Sequence, residues 1–195
     1  MTRRVLVLGL AMVLSACGQP RVPQDSFYRL TEPGSVTYAS SRLGGVLVVR
    51  HFLSDGLIRE RPVVYASSAS PAKLQQYNYH FWIESPARML QDATVDYLRR
   101  AGVASTVATP EFRAPADYEL TGKIKRFEVV RGGSPRAVIS LEFGLHRVDD
   151  GRLMLLRAYD EDVALNGDDV AEAASAMSRA VGEVLAALVR DMGAL

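Results

Sequence analysis

The chain has 195 residues, with 23 basic and 22 acidic side chains and a single cysteine. Near-neutral charge argues against nucleic acid as a partner. One cysteine excludes an internal disulfide, so the domain must be held by its core.

The N-terminus reads as an export signal. Met1-Thr2-Arg3-Arg4 is short and positive, and residues 5–14 are an apolar run. A bilayer needs roughly 20 residues of helix, so this run is too short for a permanent span. Leu14-Ser15-Ala16-Cys17 resembles the bacterial lipobox. That resemblance implies cleavage before Cys17, with diacylglycerol on its thiol and an acyl chain on its new amine, because cysteine alone offers the required sulfur nucleophile. The expected organisation is a signal peptide over 1–16, a lipidated tether over 17–26 and one periplasmic domain over 27–195. Loss of Arg3 and Arg4 leaves 21 basic against 22 acidic residues, or −1. Gly18, in place of the aspartate that retains such proteins in the inner membrane, points to the outer membrane by the same resemblance.

The domain begins with a short strand at Ser26-Phe27-Tyr28-Arg29-Leu30 and a turn at 32–35. Residues 46–52 open with the β-branched and apolar run Val46-Leu47-Val48-Val49, which predicts a strand apolar on both faces near the middle of a sheet. A turn or short helical turn is expected at 54–57, a strand at 61–65, a loop at 67–71 and an aromatic strand at 75–82. Ser85-Pro86 is a helix start, since serine caps free N–H groups and proline fits the first turn. Met89, Leu90, Ala93, Tyr97 and Leu98 share one face of the helix predicted over 86–100, which Gly102 can end.

Three strands follow, at 118–130, 136–148 and 153–163. In the first, Tyr118, Leu120 and Ile124 take one face and Phe127 and Val129 the other, which predicts a bulge. Residues 149–152 make a hairpin of the last two. Asp168 or Asp169 opens a final helix over 170–191, striped with Val170, Ala174, Met177, Val181, Val184, Leu188 and Met192. The expected architecture is therefore α+β: a two-layer sandwich of a mixed, largely antiparallel sheet and two principal amphipathic helices.

Little in this sequence carries catalysis. His51, His80 and His146 have no metal-ligand spacing, and there is no HExxH, GxSxG or phosphate-binding glycine motif. Asp160-Glu161-Asp162 and Asp168-Asp169 fail the calcium-loop pattern, because Ala164 and Leu165 stand where a ligand and a glycine are required. The expectation is no enzyme, no metal and no cofactor beyond the acyl groups on Cys17. The aromatic run is more informative. Tyr77, Tyr79 and Phe81 should share a strand face, with Trp82 on the other, as a core corner or as a surface for a partner or lipid. Arg61, Tyr65, Tyr79, Phe81 and Trp82 are the candidate binding residues.

The ordered set of lipobox cysteine, Phe27-Tyr28-Arg29-Leu30, the strand at 46–52, Arg61-Pro62-Val63-Val64-Tyr65, Tyr79-His80-Phe81-Trp82 with Ser85-Pro86 and Met89-Leu90, Tyr118-Glu119-Leu120 and the final helix resembles the ABC-type transport auxiliary lipoproteins, the PqiC-like family. The resemblance implies a noncatalytic, lipid-anchored part in envelope lipid transport. Its partner would be an MCE-domain protein, docked at the periplasmic face of the outer membrane, and its members can form homo-oligomeric rings. The alternatives are a lipid-binding receptor or shuttle, and an assembly lipoprotein for another outer-membrane protein.

Overall fold

The computed structural model describes residues 23–32, 35–40 and 42–195. The expected signal peptide over 1–16, Cys17 and most of the expected tether lie outside the described residues. The elements are β1 (Ser26–Tyr28), β2 (Leu43–Val49), β3 (Pro62–Ser67), β4 (Ser70–Trp82), α1 (Pro86–Ala101), β5 (Ala104–Ala108), β6 (Tyr118–Arg131), β7 (Arg136–Arg147), β8 (Leu153–Ala164) and α2 (Val170–Met192). Short 3-10 turns occupy Gly56–Arg59 and Pro110–Phe112.

The helix boundaries follow from capping. Ser85 Oγ accepts from the Arg88 N–H at 3.4 Å, and Gly102 closes α1 at φ 69°, a left-handed conformation that glycine adopts without a Cβ clash. Asp169 caps α2 by accepting from the Ala171 N–H at 3.2 Å.

The sheet corrects the expected architecture. It is a curled half-barrel carrying two helices, and it is not a two-layer antiparallel sandwich. Among the described residues four of seven strand ladders are parallel: β1 with β4, β2 with β5, β2 with β6, and β3 with β6. Only β3–β4, β6–β7 and β7–β8 are antiparallel. The reason lies in β6. This 14-residue strand pairs with β7 along one edge and offers its other edge to two short strands. Residues 47–49 of β2 take its beginning and residues 65–67 of β3 take its end. Between those ladders the chain after β2 stays on β6, with the Leu53 N–H donating to Gly122 O and the Ile124 N–H to Leu53 O, both at 2.8 Å. Two strand families therefore diverge from one long strand, and the sheet curls.

The expected bulge in β6 is present as a register shift between Ile124 and Arg126. It turns both halves of the apolar pattern inward: Leu120, Ile124, Phe127 and Val129 are all buried in one core. Opposite Gly122 there is no room for a side chain. A Cβ there would meet the Phe52 ring at 2.6 Å, so glycine lets that ring cross the strand.

Sequence reasoning missed β5. Its residues Ala104–Ala108 follow the Gly102 cap and run parallel beside β2, which puts β2 between β5 and β6. The apolar faces of α1 and α2 join the inward side chains of the strands in a single cluster. Leu90, Leu98, Met177, Val184 and Leu188 are fully enclosed there. At about 25 cal/mol per Å² of apolar area removed from water, each large side chain contributes about 1.5–3 kcal/mol. The opposite sheet face is mixed: Val64, Ala66, Val130 and Val138 are buried outside the core cluster, beside ion pairs of Arg126 with Glu128 at 2.6 Å and Arg136 with Asp162 at 2.9 Å. Among the described residues no helix is long and apolar enough to cross a membrane.

Candidate functional site

The aromatic residues gather where β1, β4, β3 and the end of β6 meet. Strand β1 pairs in parallel with the end of β4, Ser26 with His80, Phe27 with Phe81 and Tyr28 with Trp82. On its other side β4 pairs with β3, but the register slips between Pro62–Phe81 and Val64–Gln76. Two residues of β3 therefore face five of β4. The three surplus residues are an odd number, so the strand's faces exchange. Tyr77 consequently shares a face with His80, and Phe81 looks the other way, which corrects the expected Tyr77–Tyr79–Phe81 face.

The inner side holds a ring cluster. Tyr28 stacks on His80 with centroids 5.8 Å apart, and its hydroxyl hydrogen-bonds to His80 Nδ1 at 2.7 Å. His80 meets the edge of Tyr77 at 5.6 Å, and Tyr77 packs on Tyr65 at 4.5 Å. Arg131, from the last position of β6, lies 5.4 Å from the Tyr65 ring centre and 5.7 Å from that of Tyr77. Burial pushes the Tyr77 phenol above its ordinary value, and the Arg131 charge only partly offsets this.

The outer side holds a second, smaller group. Phe27 stacks on Phe81 at 5.8 Å, and the Arg61 guanidinium lies 5.4 Å over Phe27. Arg61 Nε also donates to Trp82 O at 3.1 Å, which fixes the arginine against the strand. Phe27 is 56% exposed and Tyr79 41% exposed.

The five sequence candidates therefore separate. Arg61 and Phe81 meet on the outer side through Phe27. Tyr65 belongs to the inner cluster with Tyr77. Tyr79 stands exposed on β4. Trp82 is 1% exposed and packs on Phe127 at 5.2 Å, inside the core. Phe27, Tyr28, Tyr77, His80 and Arg131 complete the two groups. Tyr77 and His80 were visible in the aromatic run. Arg131 had no local signal, because only the parallel β3–β6 ladder brings it to Tyr65.

Two further features border the site. Strand β1 covers only residues 80–82 of β4, so among the described residues Ser70–Tyr79 has no strand on that edge. Its backbone can accept an added strand; Pro71 and Lys73 limit indiscriminate pairing there. A groove of about 250 Å³ also opens between α1, α2 and residues 29–32, with Leu30, Ile83, Met89, Val181 and Leu185 in its wall.

His51 is occupied elsewhere. Its Nδ1 is 3.1 Å from Gln91 Oε1, and its Nε2 is 3.6 Å from Glu111. Asp162 and Asp169, from the acidic stretch, serve the Arg136 bridge and the α2 cap. Among the described residues no group of three His, Cys, Asp or Glu side chains could hold a metal ion.

The fold is shared with solved structures. XCC0632 from Xanthomonas campestris is 24% identical, with a TM-score of 0.74, over 84% of this chain and 92% of that one. A PelC dodecamer from Paraburkholderia phytofirmans is 14% identical, with a TM-score of 0.50, over 81% of this chain and 95% of that one. CT253 from Chlamydia trachomatis is 10% identical, with a TM-score of 0.52, over 78% of this chain and all of that one. No curated protein matches the sequence. Residues 28–189 match the ABC-type transport auxiliary lipoprotein component family, and the chain belongs to it. The chain is thus an auxiliary component of an ABC-type transport system.

Proposed function

We propose that the chain is a noncatalytic docking lipoprotein. Acyl groups on Cys17 would hold it at the periplasmic face of the outer membrane, and the folded domain would receive the MCE-domain component of a lipid-transport system. The observation that carries the docking role is the inner cluster of Tyr28, Tyr65, Tyr77, His80 and Arg131 beside the uncovered edge of β4. Tyrosine and arginine are the side chains that dominate binding energy at protein interfaces. An uncovered strand edge adds main-chain hydrogen bonds to a segment laid along it. Phenols, a guanidinium and an imidazole suit a polypeptide, and together they give both apolar contact and directional bonds.

Affinity capture of the acylated chain from its own envelope should bring down an MCE-domain protein. A Tyr65→Ala/Arg131→Ala variant that remains folded should lose it. Capture that is equal for the variant would place docking elsewhere; absence of any MCE-domain protein with the folded wild-type bait would remove the proposal. The PelC relative is a dodecamer, and a ring of this chain would set several docking surfaces around one axis. Light scattering of the purified chain decides that point.

The groove between the helices favours a second reading, a receptor or shuttle for lipid, since its wall is largely apolar. Native mass spectrometry of the purified domain would then show a bound lipid; a domain free of lipid retains the docking role alone.

A further inference from the structure

The outer group of Phe27, Phe81 and Arg61 faces away from the ring cluster, so a segment docked on the inner side leaves it open. It consists of a stacked aromatic pair under a guanidinium, with Phe27 more than half exposed and Tyr79 two residues before Phe81. We propose that this group rests on the bilayer that carries the chain's own acyl anchor, so that the domain is held against the lipid surface in a fixed orientation. The inference rests on the reading of Cys17 as that anchor.

Chain length and position argue for a bilayer as the occupant. Phe27 is ten residues after Cys17, so a fully extended tether reaches at most about 33 Å. The tether enters the fold at β1 itself, so no other part of the sheet starts closer to the anchor. The first described residues, Pro23, Gln24 and Asp25, are exposed and lead directly to the patch. The tether therefore keeps this edge nearer to the anchor along the chain than any other strand.

Side-chain chemistry agrees. Aromatic rings settle at the level of the lipid headgroups, where one side is apolar and the other wet. An arginine lying along a ring can bury its stem and keep its charge among the phosphates. The hydrogen bond from Arg61 Nε to Trp82 O keeps the guanidinium in that attitude, with no carboxylate partner among the described residues. By contrast Tyr38, which is 77% exposed, lies between Thr37 and Ala39, whose N–H groups donate to the Tyr97 hydroxyl and to Ala101 O of α1, on the β5 side of the sheet path. It is the natural control for a ring that faces water.

Quenching by brominated lipids tests the orientation. The acylated Phe27→Trp chain is reconstituted in vesicles of phosphatidylethanolamine and phosphatidylglycerol, part of whose acyl chains are brominated. Buried Trp82 supplies a constant background. The inference predicts that emission added by Phe27→Trp shifts to the blue and is lost to the bromines, whereas that added by Tyr38→Trp is unchanged. Unquenched Phe27→Trp on chains that float with the vesicles overturns it and leaves the anchor reading intact. An intact mass without acyl groups overturns the anchor reading, and this inference with it. Amide exchange on the wild-type chain provides a second measure if the variant misfolds: slowing at residues 26–29 and 79–83 on vesicles, relative to detergent, supports the inference. Equal slowing in detergent as the chain concentration rises assigns the patch to a second copy and overturns it.

Discussion

Replacing Arg131 with methionine keeps an unbranched apolar stem and removes the charge. In the structure that charge lies within 5.7 Å of two tyrosine rings, Tyr65 and Tyr77. A cation over a ring contributes about 0.5–1 kcal/mol at a partly exposed site, so the pair amounts to about 1–2 kcal/mol. For a domain of this size each kcal/mol moves the melting temperature by about 2–4 °C, which gives a fall of about 2–8 °C. Urea and thermal unfolding measure the loss, and a cycle with Tyr77→Leu isolates one ring. The coupling between Arg131 and Tyr77 should then be about 0.5–1 kcal/mol, half of the total effect. An Arg131→Met domain as stable as the wild type, with no coupling to Tyr77, would show that the arginine does not lie over the rings and that the parallel β3–β6 ladder is misplaced.

Gly122→Ala should destabilise the domain by about 1–3 kcal/mol, because the new methyl meets the Phe52 ring, and Phe52→Leu in the same chain should recover part of the loss in urea unfolding. The Asp191 carboxyl is pulled upward by burial, but hydrogen bonds from Tyr159 at 2.7 Å and from Arg157 outweigh this and hold it below its ordinary value of 3.8. A depressed carboxyl stabilises the fold above its unfolded value and loses that contribution as pH falls through the folded one. The stability gap between wild type and Asp191→Asn should thus be full at neutral pH and close below about pH 4; a gap independent of pH would contradict the Tyr159–Arg157–Asp191 geometry.

Local chemistry was legible in the sequence wherever one segment determined its own structure. Ser85-Pro86 and Gly102 delimit α1 because capping depends on a few neighbouring residues. The β6 bulge was readable because the apolar pattern changes face between Ile124 and Phe127, and a core on one side forces an inserted residue there. Partner choice was not legible. An alternating strand looks the same whether its neighbour is parallel or antiparallel, so Val46–Val49 and Val63–Tyr65 gave no sign that they share one edge of β6. Strand β5 was missed because Ala104-Ser105-Thr106 weakens the apolar pattern around Val103 and Val107. The slip in β4 was equally invisible. It arises from the β3–β4 register, and it is what moves Tyr77 toward His80 and Arg131 while Phe81 turns to Phe27. The family resemblance was recoverable from order along the chain, since its pieces after Cys17 fall in successive elements, nearly all within the matched residues 28–189.

Site-specific photo-crosslinking in the living cell tests the docking role most directly. A photoreactive residue at Gln75, on the uncovered edge of β4, should join the chain to an MCE-domain protein, while the same residue at Ala158, on the exposed face of β8, should not. Joining at Ala158 and not at Gln75, with both variants present at the wild-type level, would contradict docking at the aromatic edge.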